Sequence, residues 1–142
     1  MLIRDFKLSD YGLISALLED TLSEECFVET MQALGRQLSW DSELILVAEL
    51  NGEVVGMIIG TIDNNKGYFY RIAVIKEHQG KGIGMSMVNA LKQRFELRQV
   101  QKVMISIDRH NEIAIPTYLS AGYQESDFAR SPERLSIVKN VM

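Results

Sequence analysis

Gln79-Gly80-Lys81-Gly82-Ile83-Gly84 is the stretch on which the reading of this chain turns. Three glycines alternate in it. The run joins an aromatic, β-branched segment, Tyr68 to Val74, to a stretch of helical periodicity. With glycine at about 7% of residues, such an alternation arises by chance in roughly one chain in twenty of this length, so its position counts for more than its composition. Residues without Cβ let the backbone bend tightly and turn successive N–H groups inward. The first turn of the following helix adds unpaired N–H donors and a partial positive charge. Together they form a cradle for a phosphate or diphosphate, to which Lys81 adds a point charge. A turn serving chain reversal alone needs fewer than three glycines.

Working outward, Met87, Val88, Leu91 and Phe95 line one face of a helix running to about Leu97, with Lys92, Arg94 and Glu96 on the other. Upstream, the period is that of strands: Leu44 to Leu50, the hairpin signal Asn51-Gly52, Glu53 to Ile62, a turn at Asp63-Gly67, then Tyr68 to Val74. Before these, Leu2 to Phe6 reads as a strand. Ser9 is placed to cap a helix carrying Leu13, Ile14, Leu17 and Leu18. A second helix starts near Ser23 with the stripe Phe27, Met31, Leu34 and Leu38. Downstream, Lys102 to Asp108 reads as a strand, and Asn111 as the cap of a short helix ending at Ala121-Gly122. Tyr123 to Phe128 and Leu135 to Met142 read as two closing strands. The order is β-α-α-β-β-β-α-β-α-β-β. It predicts an α/β fold of the α+β kind, a mixed and mainly antiparallel central sheet flanked by helices, in a single domain over residues 1–142.

The diphosphate carrier is narrowed by what the loop lacks. No Walker string is present. Met85 stands where the third glycine of a dinucleotide fingerprint belongs, and the preceding strands are hairpin-linked rather than parallel. What remains is a likeness: Gln79 to Gly84 resembles the Gln/Arg-x-x-Gly-x-Gly/Ala loop of the GNAT acetyltransferases. Ile72-Ala73-Val74 before it is similar to that family's pantetheine-binding strand end. Asn111-Glu112-Ile113-Ala114-Ile115-Pro116-Thr117-Tyr118-Leu119-Ser120-Ala121-Gly122-Tyr123 resembles its Asn-x-x-Ala-x-x-x-Tyr-x-x-x-Gly-Phe/Tyr helix. The three motifs stand in the family's order, and the likeness covers nearly the whole chain, weakest before Glu43.

The resemblance implies an N-acetyltransferase that passes the acetyl group of acetyl-CoA directly to a primary amine, of a small molecule or a peptide, within a ternary complex. It implies CoA contacts from Ile72, Ala73 and Val74, from Gln79, Gly80, Lys81, Gly82, Ile83, Gly84 and Met85, and from Asn111, and it makes Tyr118 the general acid to the departing thiolate. No metal is implied. Asn111 can equally be a helix cap, and Tyr118 a core aromatic. Two departures stand out: Tyr68 and Ser106 occupy the positions of glutamates that serve as bases in two branches of the family, so neither base carries over. Glu49, Tyr68 and Tyr70 remain candidates for the base; by period-two spacing Tyr68, Tyr70 and Ile72 share a strand face. Pro116 disfavours helical geometry at Ile115, which predicts a kink or a late helix start. With the glutamates missing, a non-catalytic acyl-CoA-binding module is the alternative. A homodimer is an option the resemblance leaves open, since members often form one.

Composition agrees with a soluble protein: of 142 residues, 46% are hydrophobic and 24% charged. The net charge of −4 disfavours nucleic-acid binding. No apolar run approaches the ~20 residues of a membrane span, and Met1 to Phe6 lacks a signal-peptide pattern. The lone Cys26 suits a reducing compartment and a core position. The expected location is the cytoplasm. Asp20, Glu24, Glu25 and Asp127 could meet a cationic acceptor or be solvated helix charges.

Overall fold

In a computed structural model of the chain, which describes residues 1–131 and 135–138, the strand segments fold back through two tight turns. Asn51 and Gly52 hold φ of 52° and 82°, and Asn64 and Asn65 hold 51° and 63°. Left-handed backbone at both central residues matches the twist of an antiparallel pair, and Asn and Gly tolerate it best. The strands are β1 (Leu2–Asp5), β2 (Ile45–Leu50), β3 (Glu53–Asp63), β4 (Lys66–Val74), β5 (Lys102–Ser106) and β6 (Phe128–Ala129). They form one sheet in the order β1-β2-β3-β4-β5-β6. The first three pairings are antiparallel and the last two parallel. The mixed, mainly antiparallel sheet expected from the sequence is present.

Helices α1 (Tyr11–Thr21) and α2 (Glu24–Asp41) cover one face, while α3 (Ile83–Leu97) and α4 (Ile115–Ser120) cover the other. The seat of α3 is glycine. A Cβ on Gly60 would lie 2.8 Å from Leu91 and Phe95, and one on Gly67 would lie 2.8 Å from Phe95. With no side chains at those strand positions, Leu91 and Phe95 rest directly on the sheet. Met87, Val88, Leu91 and Phe95 are fully buried, as the periodicity requires.

Four details depart from expectation. Residues Leu8–Asp10 form a 3₁₀ turn ahead of α1, and Asp10, not Ser9, works there: its carboxylate accepts from the Lys7 N–H at 2.8 Å and from both Arg4 guanidinium nitrogens. In α1, Leu13 is exposed while Ile14, Leu17 and Leu18 are buried. In α2, which starts next to Ser23 as expected and is capped by its hydroxyl, the deepest residues are Cys26, Thr30, Ala33, Leu34 and Gln37, and Phe27, Met31 and Leu38 pack at their flank. The chain's end also differs. Glu125–Asp127 is a 3₁₀ turn, and β6 is two residues long and parallel to β5, making β5-α4-β6 a second crossover instead of the first arm of a hairpin. The last expected strand, Leu135 to Met142, begins with a turn over 135–138; residues 139–142 lie outside those described.

Candidate functional site

β4 and β5 pair from Lys66/Lys102 only as far as Phe69/Ile105. Beyond that rung β4 continues five residues further, bonded to β3 on one side and open on the other. The direction of its peptide groups follows from three contacts. Ile75 N–H donates to Val55 O, toward β3, at 2.9 Å. Val74 O, on the opposite edge, accepts from Gln79 Nε2 at 2.9 Å. Tyr70 O, also on that edge, accepts from Asn111 Nδ2 at 3.4 Å. Since peptide directions alternate along a regular strand, the Ile72 and Val74 N–H groups point into the opening.

At the end of β4 the chain passes through a short 3₁₀ turn, Lys76–His78, into the glycine loop. Gly80 and Gly82 hold φ of 79° and 81° with no atom within 4 Å of a would-be Cβ, so backbone geometry and not crowding calls for glycine. Gly82 is the residue before α3. Ser86 N–H donates to Gly82 O at 3.1 Å, and the N–H groups of residues 80–85 meet no acceptor among the described residues. Unpaired amides at the positive end of a fifteen-residue helix are the donors that an anion site requires. They open onto a cleft of about 470 Å³. Its floor is Ile72, Ala73 and Val74; its upper end is Gln79, Gly80, Gly82, Ile83, Gly84 and Met85; its far wall is Ile113, Pro116, Thr117 and Ser120. That wall exists because α4 starts late. A 3₁₀ turn at Glu112–Ala114 comes first, and Pro116 then sits in the first turn of α4, where its missing N–H has no helical acceptor to lose.

Three of the residues named from the sequence stand elsewhere. Lys81 is exposed beside the cleft, its Nζ 3.2 Å from His78 Nδ1. Asn111 makes no side-chain helix cap. Its Oδ1 accepts from Asp108 N–H at 2.8 Å and its Nδ2 donates to Ser106 O at 2.8 Å, which stitches the end of β5 to β4 behind the opening. Tyr118 is fully buried against Phe69, with its hydroxyl unpartnered among the described residues. Burial holds its phenol well above the ordinary range, against a smaller lowering by the Arg71 charge. Ser106 Oγ is likewise buried and without a partner.

The candidate bases are also dispersed. Glu49 lies on β2, two strands from the opening, beside Arg4. Tyr68 lines a separate cavity of about 500 Å³ with Asp63, Asn64, Arg130 and Leu135. Tyr70 is fully buried, its phenol pushed up to about 12 by burial. The expected shared face of Tyr68, Tyr70 and Ile72 is broken by a bulge. Gly60 pairs with Phe69 and Ile59 with Arg71, which leaves Tyr70 as an extra residue. Tyr68 and Tyr70 pack on the α1/α2 side, Ile72 on the α3 side. The bulge also turns inward a residue that sequence reasoning passed over. Arg71 is 1% exposed and pairs with Asp108 through both guanidinium nitrogens at 3.3 and 3.2 Å. Its signal in the sequence was weak: one arginine inside an otherwise apolar strand.

The sequence model of the acetyltransferase (GNAT) family matches residues 13–123. Among solved structures, a ribosomal-protein-alanine N-acetyltransferase from Brucella melitensis is similar, with 23% identity over 87% of this chain and 85% of that one, at a TM-score of 0.68. The PaiA N-acetyltransferase of Thermoplasma acidophilum, in complex with coenzyme A, shows 16% identity, coverage of 87% and 89%, and a TM-score of 0.65. Diaminobutyrate acetyltransferase EctA from Paenibacillus lautus, with its substrate L-2,4-diaminobutyric acid and coenzyme A, shows 19% identity, coverage of 84% and 72%, and a TM-score of 0.65. At these identities the likeness is one of fold.

Proposed function

The chain belongs to the acetyltransferase (GNAT) family, and from that premise we propose that it transfers the acetyl group of acetyl-CoA to a primary amine in a ternary complex. The observation that carries the reading is the conjunction of two donor sets on one cleft: unpaired amides at the start of α3, and the Ile72 and Val74 N–H groups in the opening beside β4. The first suits a diphosphate, the second an extended arm with amide carbonyls ending in a thioester. The solved relatives that hold coenzyme A fit this assignment.

In the reaction the amine nitrogen attacks the thioester carbonyl, a C–N bond forms, and the C–S bond breaks. An inward N–H of β4 receives the developing oxyanion. The proton lost by the amine leaves through water, and Tyr118 supplies one to the departing thiolate. Burial holds this phenol above its ordinary range, so it is protonated at neutral pH but a weaker acid than a free phenol, and no partner among the described residues competes for its proton. Lys81 adds charge to the diphosphate end, and Asn111 supports the site from behind by fixing the end of β5. A single domain over the whole chain, a cytoplasmic location, no nucleic-acid or membrane partner, and a homodimer belong to the proposal too. The net charge of −4 weighs against a nucleic-acid partner, and the lone buried cysteine suits the location.

One observation favours a module that binds acyl-CoA without turnover: Tyr118 does not line the cleft. Acetyl-CoA consumption across an amine panel decides between the two. The enzyme reading expects turnover that falls by about 10²-fold in Tyr118→Phe with acetyl-CoA affinity retained. Tight CoA binding with no turnover of any amine would favour the module. Thermal stabilisation by ATP or NAD exceeding that by acetyl-CoA would overturn both.

A further inference from the structure

The opening between β4 and β5 is bridged behind the cleft by two side chains. Asn111 joins backbone to backbone; the second, Arg71, is a permanently charged group buried to the last per cent. Burying a guanidinium is unfavourable unless its donors are met. Here Nε donates to Thr30 Oγ1 at 3.1 Å, one terminal nitrogen to Asp108 Oδ1 at 3.3 Å, and the other to Asp108 Oδ2 at 3.2 Å and to the Tyr70 hydroxyl at 3.3 Å. The guanidinium also stacks 4.8 Å from the centre of the Tyr70 ring. In answer, burial alone would raise the Asp108 carboxyl, and the Arg71 hydrogen bonds and charge, with His110 N–H donating as well, hold it below the ordinary carboxylate range.

The placement of these partners is what matters. Asp108 lies two residues past the end of β5, Thr30 is on α2, and Arg71 directly precedes Ile72. The guanidinium therefore crosses the opening at the level where the ladder has stopped. It also sits on the bulge. With Tyr70 as the extra residue, Arg71 faces α2, and the N–H groups of Ile72 and Val74, not those of Arg71 and Ala73, face the opening. A slip of one residue would exchange the two sets.

We propose that Arg71 is a positioning residue for the transfer, resting on the acetyltransferase reading above. Its paired contacts with Asp108 and Thr30 hold the bulge in phase and set the width of the opening, so that the Ile72 amide meets the thioester carbonyl. The diphosphate end of the cleft, borne by the glycine loop and α3, does not depend on it.

The test is NMR of acetyl-CoA, isotope-labelled at its thioester carbonyl, bound to wild type, Arg71→Met, Arg71→Lys and Asp108→Asn. It needs no acceptor. In wild type both the phosphorus and the carbonyl resonances move on binding. In Arg71→Met and Asp108→Asn the phosphorus shifts remain and acetyl-CoA affinity stays within about twofold, as for a distant site. The carbonyl shift is mostly lost, and Arg71→Lys, which keeps the charge but not the fork, recovers part of it. With an accepted amine, kcat falls roughly tenfold or more while KM for acetyl-CoA holds. Should Arg71→Met fail to fold, the other two variants carry the comparison. A carbonyl shift unchanged in every folded variant makes the cluster purely structural and overturns the proposal. Phosphorus resonances that do not move even in wild type overturn the acetyltransferase reading instead, and this inference falls with it.

Discussion

Gly82 carries its φ of 81° at the junction where the loop becomes α3. A would-be Cβ there meets nothing, so Gly82→Ala is a test of backbone conformation unmixed with crowding. The left-handed well costs a residue with Cβ roughly 1–2 kcal/mol. That strain relaxes only by moving the amides that follow. The expected outcome is a modest fall in thermal stability and a larger fall in acetyl-CoA affinity, read by calorimetry. Loss of stability with unchanged affinity would mean that the cradle does not bind the diphosphate. Tyr118 shows the complementary case, a residue whose chemistry depends on surroundings more than on identity. Burial keeps its proton in place, and its hydroxyl has no partner among the described residues.

Between elements, the joint that matters most is the amide of Asn111. Its Oδ1 and Nδ2 hold two backbone groups at the end of β5, and Nδ2 also reaches Tyr70 O of β4, so Asn111→Ala would leave the Asp108 N–H and Ser106 O without that partner. A cost of about 2–3 kcal/mol is expected. Asn111→Asp should be at least as damaging, though it keeps the contact with the Asp108 N–H, because an anionic oxygen would then face Ser106 O. Denaturant unfolding of the two variants checks the order; an aspartate milder than alanine would contradict this geometry. Much of this level was legible in advance. The hairpin turns, α2, α3 and the glycine loop have strong local signals, since each is decided by residues within one or two turns of itself. The bulge at Tyr70 was not, because an extra residue in one strand shows only against its partner. Nor was the parallel placement of β6, which α4 decides by crossing over. The role of Asn111 was not legible: its position before a helix suggested a cap, which its side chain does not make, and only the approach of β4 to the end of β5 reveals its use. The Arg71 cluster joins residues from α2, β4 and the segment after β5, a combination that no window of sequence contains.

Taken whole, the molecule holds two phenols, Tyr70 and Tyr118, entirely out of solvent. Both are raised above the ordinary value of 10.0, Tyr70 to about 12. The folded state thus holds these protons more tightly than the unfolded chain does. The stability they contribute is complete below about pH 10 and is lost as pH rises through their folded values, by about 1.4 kcal/mol per pH unit for each group. Denaturant midpoints should be level on this account up to about pH 10 and fall steeply above it, with the tyrosinate absorbance of these two residues appearing together with unfolding. A tyrosinate signal from these two residues in protein that is still folded would refute the assignment.

The glycine seat of α3 has a mechanical side. A helix of fifteen residues is a stiff rod about 22 Å long. One end rests on Gly60 and Gly67 through Leu91 and Phe95; the other presents its amides to the cleft. A methyl group added beneath the resting end would lift it, and a rod that cannot bend passes the tilt to its far tip. Affinity for the acyl donor is then adjustable from the far end of α3, by substitutions outside the lining of the cleft.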